Sequence, residues 1–116
     1  MRSVRENLNT ELATTEDTEV ETSMATLSKA EVEKRLKSLD NGWTLQGDAI
    51  RKQYTFAGFP DAIAFVNRLA PKAEAADHHP DILINYKRVT LTYSTHSEGG
   101  LTAKDFDGAA AADRLA

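Results

Sequence analysis

No cysteine occurs in the 116 residues. This excludes disulfides, thiolate metal sites and a thiol nucleophile, and it suits a reducing compartment. Any metal would have to rest on histidine and carboxylate alone, and no metal ligand set is expected. No apolar run approaches the ~20 residues of a membrane-spanning helix. Nor is there a basic surplus: 14 Lys and Arg face 18 Asp and Glu, a formal charge of −4, which argues against nucleic acid as a direct partner. The first 25 residues lack the apolar core of a signal peptide and are too acidic for a transit peptide, so the expected location is cytoplasmic.

The whole charge excess lies at the front. Residues 1–25 hold Arg2 and Arg5 against Glu6, Glu11, Glu16, Asp17, Glu19 and Glu21, which leaves the remainder formally neutral. That Thr/Glu-rich segment has little apolar surface to offset its ordering entropy and is expected to be a disordered tail. The domain is expected over 26–116.

Within the domain, Ser28 and Glu31 have capping-box spacing before Val32, Leu36 and Leu39, which predicts a helix over about 28–40 with a stop at Gly42. Trp43 and Leu45 open a short strand, Gln46-Gly47-Asp48 turns, and Ala49–Phe56 alternates with Ile50, Tyr54 and Phe56 on one side. Pro60 and Asp61 begin a second helix to Ala76 with a stripe of Ala62, Phe65, Val66, Leu69, Ala70 and Ala73. Pro71 is expected to bend it near Asn67. Asp81–Tyr86 and Val89–Thr95 form a second hairpin turning at Lys87-Arg88, with Val89, Leu91 and Tyr93 inward and Thr90, Thr92 and Ser94 outward. Thr102, with Asp105 three residues on, caps a last helix to about Leu115. The order α-β-β-α-β-β-α predicts an α+β domain: a four-stranded antiparallel sheet with three helices on one face.

The chain's 3 histidines all fall in one stretch, and histidine is the side chain that gives and takes protons near neutral pH. Pro80 keeps its predecessor extended, so His78 and His79 point in roughly opposite directions and chelate a single metal poorly. Each candidate also has an ordinary reading. His78 and His79 suit a solvent-facing loop, His96 a strand end, and Glu74 a surface position, although a carboxylate there opposes the helix dipole. Asp105 suits a capping acid and Trp43 a core anchor. Asp77, Ser94, Thr95 and Ser97 qualify only as neighbours.

Taken together, Glu74-x-x-x-His78-His79-Pro80, five residues to Tyr86, nine more to His96 and eight more to Asp105 resemble the signature of the pterin-4a-carbinolamine dehydratases, also known as dimerization cofactor proteins. The resemblance reaches Gly42-Trp43, Asp48-Ala49-Ile50, Lys52-Gln53 and Ser94-Thr95-His96, and it spans roughly 27–116. It implies dehydration of 4a-hydroxytetrahydrobiopterin to quinonoid dihydrobiopterin, in recycling of the pterin that aromatic amino-acid hydroxylases use. Pterin is then the substrate, and no cofactor is needed. The resemblance makes His78 and His96 the acid/base pair, each worth about 10²–10⁴ in rate, with His79 binding substrate and assisting. Glu74 would orient the histidine four residues on, and Asp105 would steady His96 or the pterin. Asp77, Ser94, Thr95 and Ser97 would line the pocket. Homodimers or homotetramers are implied. Some relatives act instead as protein-binding or assembly factors, and the assembly type has lost the histidines that this chain keeps.

Overall fold

The computed structural model describes residues 26–39 and 42–116. The expected acidic tail over 1–25 lies outside the described residues. Three helices and four strands follow in the predicted order: α1 (Lys29–Ser38), β1 (Thr44–Gln46), β2 (Ala49–Thr55), α2 (Phe59–Ala76), β3 (Asp81–Asn85), β4 (Arg88–Tyr93) and α3 (Ala103–Leu115), with one short 3₁₀ turn at His96–Glu98 before α3. The sheet is antiparallel throughout, in the order β1-β2-β4-β3. Among the described residues no helix is long and apolar enough to cross a membrane.

Local chemistry explains most boundaries. Ser28 caps α1 by accepting the Glu31 N–H at 3.2 Å, as the sequence predicts. The helix stops at Ser38, two residues early, where Leu39 turns extended. The first hairpin turns at Gly47, whose φ of 59° a glycine adopts without a steric penalty. α2 begins with Pro60 in its first turn and runs through Pro71 unbroken. The second hairpin turns at Tyr86-Lys87, one residue before the expected pair, with Tyr86 at φ 56°. Strand β4 correspondingly runs from Arg88 to Tyr93. The expected strand end beyond Tyr93 becomes the 3₁₀ turn, closed by a bridge between Thr95 and Gly100.

The inward residues of the central strands, Ile50, Tyr54, Val89, Leu91 and Tyr93, meet Phe65 and Leu69 of α2 and Phe106, Ala109 and Ala112 of α3. Val32 of α1 and Trp43 complete this core. Thr90 was expected to face outward, yet it too is buried; it sits mid-strand between Gln53 on β2 and Leu83 on β3, which cover it from both sides. Asp113 of α3 ties helix to sheet. The Trp43 indole donates to it at 3.0 Å and Lys52 at 2.8 Å, and the Tyr54 hydroxyl makes a third bond. Burial alone would raise the Asp113 carboxyl, but the bonds from Lys52, Tyr54 and Trp43 hold it below the usual carboxylate range.

Candidate active site

The site is built where α2 ends. Asp77 closes the helix in the left-handed region (φ 51°, ψ 42°), which aspartate tolerates better than most residues. Its N–H bonds to Glu74 O and the His78 N–H to Ala73 O, both at 3.1 Å, wrapping the last turn. The chain leaves extended through Pro80 into β3. Because Asp81 pairs with Thr92, the start of β3 and the end of β4 lie at the same end of the sheet. All three histidines are gathered there.

His78 turns inward. Its Nε2 lies 2.6 Å from Asp105 Oδ1, and its ring stacks on Tyr93 with centroids 6.1 Å apart and planes 19° from parallel. Asp105 is fully buried at 0% exposure. Its other oxygen accepts the Thr95 hydroxyl at 2.8 Å and the Thr102 N–H at 2.9 Å, and the two threonine hydroxyls are 2.9 Å apart. A carboxylate can only accept, so His78 Nε2 is the donor, and in the neutral imidazole Nδ1 carries the free lone pair. The capping acid of α3 is therefore also the residue that sets the His78 tautomer. Its partner is His78, where the resemblance implies His96 or the pterin. Thr95 and Asp105 bond to each other and to their neighbours within the protein, behind the His78 imidazole.

His79 turns the other way. Its Nε2 lies 2.8 Å from Glu74 Oε1, with both side chains largely exposed. Glu74 thus takes the histidine five residues on; the left-handed Asp77 swings His78 away beneath the helix end and leaves His79 beside it. His96 is exposed on the 3₁₀ turn. Ser94 donates to the Asp48 carbonyl at 3.0 Å, while Asp77 and Ser97 are exposed.

Two cavities flank this end of the sheet. The inner one, about 250 Å³, lies between α2 and α3 and is lined by Leu69, Ala73, Ala76, His78, Tyr93 and Gly108, among others. The outer one, about 260 Å³, is lined by Asp48, Asp81, Thr92, Ser94 and His96, among others. His78 lines the inner cavity and His96 the outer one. Tyr93 faces inward with His78 stacked on it, while Thr92 and Ser94 line the outer cavity with His96. Among the described residues no three His, Cys, Asp or Glu side chains converge as metal donors.

The inner cavity combines apolar walls from Leu69, Ala73, Ala76 and Ala111 with the His78 imidazole and the charged side chains of Lys72, Lys104 and Asp107. Burial, with the charges of Asp105 and Asp113, pushes the Tyr93 phenol up to about 12, so the phenol stays neutral through the physiological range. Sequence reasoning assigned Tyr93 to the core, where it is buried, and missed its contact with His78 and the close approach of Gly108. A Cβ at Gly108 would sit 2.5 Å from Tyr93 Cε1. A glycine inside an alanine-rich helix was the available signal, since it costs about 1 kcal/mol against alanine and asks for a packing reason.

Comparison with known proteins agrees with the signature. The family model for pterin 4 alpha carbinolamine dehydratase matches residues 25–115. A protein of Roseiflexus castenholzii, provisionally named a pterin-4-alpha-carbinolamine dehydratase, is 56% identical over 91 residues, covering 78% of this chain and 97% of its own. A similarly named protein of Acidobacterium capsulatum is 50% identical over 92 residues, covering 79% of this chain and 99% of its own. Among solved structures, a transcriptional coactivator/pterin dehydratase from Brucella melitensis superposes with a TM-score of 0.74 at 35% identity, covering 78% of this chain and 98% of that one. A pterin dehydratase-like RuBisCO assembly factor of the alpha-carboxysome gives 0.56 at 26% identity, covering 65% and 89%.

Proposed function

Because the chain belongs to the pterin 4 alpha carbinolamine dehydratase family, we propose that it expels water from 4a-hydroxytetrahydrobiopterin to give quinonoid dihydropterin, serving tetrahydrobiopterin recycling. The substrate carries a hydroxyl on C4a and a hydrogen on neighbouring N5. Water is lost when the N5–H bond breaks, its electrons form the C4a=N5 double bond, and the C4a–O bond breaks onto a protonated oxygen. His78 takes the N5 proton on Nδ1, because Asp105 fixes the hydrogen on Nε2. The departing hydroxyl receives its proton from His96 or His79, which requires the ring to sit at the sheet end within reach of His78 and of one of them.

The observation that carries this reading is the His78–Asp105 pair, braced by Thr95 and Thr102, opening onto an apolar cavity of about 250 Å³. Rapid-mixing absorbance with freshly generated 4a-hydroxypterin tests it. Wild type accelerates the decay, and His78→Ala loses about 10²–10⁴ of that acceleration. An equal loss in His96→Ala supports a proton delivered from the outer side; an unaffected His96→Ala limits that role to His79. Decay unchanged by wild type removes the enzymatic reading.

A second reading, a protein-binding or assembly module, is favoured by one observation. The edge strand β3 and its turn expose Ile82 at 40%, Leu83 at 59% and Tyr86 at 63%, and an unpaired apolar edge invites another chain. We assign that edge first to a second copy of this protein, giving a homodimer. A chain that pairs there and leaves the pterin untouched would be a binding module.

A further inference from the structure

Asp105 holds one end of the His78 ring but not its plane. The imidazole is tethered to the backbone through Cβ, and its Nε2 lies 2.6 Å from Asp105 Oδ1. What remains is rotation of the ring about the line joining Cβ and Nε2, through a torsion whose preferences are broad in histidine. Nδ1 lies off that line, so it is the nitrogen that such a rotation displaces. The inner cavity of about 250 Å³ borders the imidazole and gives the ring room to turn.

Among the described residues, Tyr93 is the aromatic side chain that lies against this imidazole, with centroids 6.1 Å apart and planes 19° from parallel, within the range of offset stacking. Tyr93 is itself fixed from two directions. Trp43 lies 6.0 Å from it between centroids, and the Trp43 indole is bonded in turn to Asp113. A Cβ at Gly108 would come within 2.5 Å of Tyr93 Cε1, 3.0 Å of Cζ and 3.1 Å of Cδ1, so one edge of the phenol rests directly on the backbone of α3. At 1% exposure Tyr93 is out of reach of a ligand, and any effect it has on chemistry passes through His78. Asp105 and Gly108 stand three residues apart in α3, the spacing of one helix face. That face therefore meets the end of the imidazole through Asp105 and its plane through Tyr93.

We propose that Tyr93 is a positioning residue: backed by Gly108 and Trp43, it fixes the plane of the His78 ring and so aims Nδ1 at the substrate. This rests on the reading that His78 takes the N5 proton, and it adds to that reading the group that orients the base.

The test uses the full chain with Tyr93→Phe, which keeps the stacked ring, and Tyr93→Leu, which removes it. Carbon-13 relaxation at His78 Cε1 reports the order of the ring without any substrate. That order should stay at the wild-type level in Tyr93→Phe and fall in Tyr93→Leu. With 4a-hydroxytetrahydrobiopterin, kcat should fall about 10-fold or more in Tyr93→Leu and stay within about threefold in Tyr93→Phe, because a base out of line loses rate more than binding. KM should remain within about twofold in both. Should Tyr93→Leu fail to fold, Gly108→Ala displaces the ring without removing it and should likewise disturb the His78 ring and lower kcat. A folded Tyr93→Leu with an ordered His78 ring or an unchanged kcat overturns the proposal and leaves the dehydratase reading standing. So does a Tyr93→Phe loss as large as that of Tyr93→Leu, which would assign the effect to the hydroxyl, and so does a Gly108→Ala protein with wild-type ring order and kcat. No acceleration by wild type removes both.

Discussion

Replacing Asp105 by asparagine tests the central unit of the site by changing one atom. Two carboxylate oxygens serve three donors: His78 Nε2–H at 2.6 Å, the Thr95 hydroxyl at 2.8 Å and the Thr102 N–H at 2.9 Å. Asparagine keeps one acceptor oxygen, and the Thr102 N–H decides where it goes. A hydroxyl can rotate to accept, but a backbone N–H cannot, so the amide oxygen must stay on the threonine side. The NH₂ group then faces His78 Nε2, which must become an acceptor, and the ring hydrogen moves to Nδ1. The nitrogen assigned to the N5 proton is thereby blocked.

Stability and activity should separate. Three bonds to a charged group weaken to neutral ones, a loss of about 1 kcal/mol each, but the cost of burying an unneutralised carboxylate, several kcal/mol, also disappears. Net stability in denaturant titration should move by no more than about 2 kcal/mol. The dehydration rate should fall about 10²–10⁴-fold, the usual share of a positioned general base. Nitrogen-15 NMR of the His78 ring reports the tautomer directly and should show the hydrogen exchanged from Nε2 to Nδ1. An inverted tautomer with a rate within about threefold of wild type would refute the assignment of His78 as base.

Three further outcomes follow from other parts of the molecule. Asp113→Ala removes the acceptor shared by Trp43, Lys52 and Tyr54 and should cost about 3 kcal/mol, the low end for one partner of a buried pair. Since the Asp113 carboxyl is held below its ordinary 3.8, its stabilisation is complete above that value and is lost as pH falls through the lower folded one; acid unfolding curves of Asp113→Asn should lack this component. Tyr93, pushed up to about 12, keeps its proton in the folded state where an unfolded tyrosine, at about 10, loses it, so stability should fall between those values as pH rises, and Tyr93→Phe should remove that slope in alkaline melts. Gly108→Ala gains about 1 kcal/mol of helix propensity but drives a Cβ to 2.5 Å from a buried ring, an overpacking cost of about 1–3 kcal/mol; the melting point should drop.

The elements were readable because their signals were local. Ser28 with Glu31, Pro60 with Asp61 and Thr102 with Asp105 mark three helix starts by the chemistry of their own first turns. The alternation of Val89, Leu91 and Tyr93 marks the central strand without knowledge of its neighbours. What failed was also local. α1 ended two residues early, and the second hairpin turned at Tyr86, because an aromatic residue at positive φ is a conformation that no propensity argument would choose.

The site was legible as a list but not as an arrangement. The residues could be collected from their spacing, yet their pairing depends on a single backbone feature, the left-handed Asp77, that spacing does not encode. That residue places His78 beneath the helix end, where α3 brings Asp105, and leaves His79 outside with Glu74. A reading in which each acid serves the imidazole nearest the helical repeat pairs Glu74 with His78 and frees Asp105 for His96, and the folded chain does neither. The same backbone step puts consecutive histidines on opposite sides of one sheet end. A proton taken on the inner side and one delivered from the outer side would therefore act on a ring lodged at that end, and the relative losses in His78→Ala and His96→Ala measure how far the two sides work on one substrate.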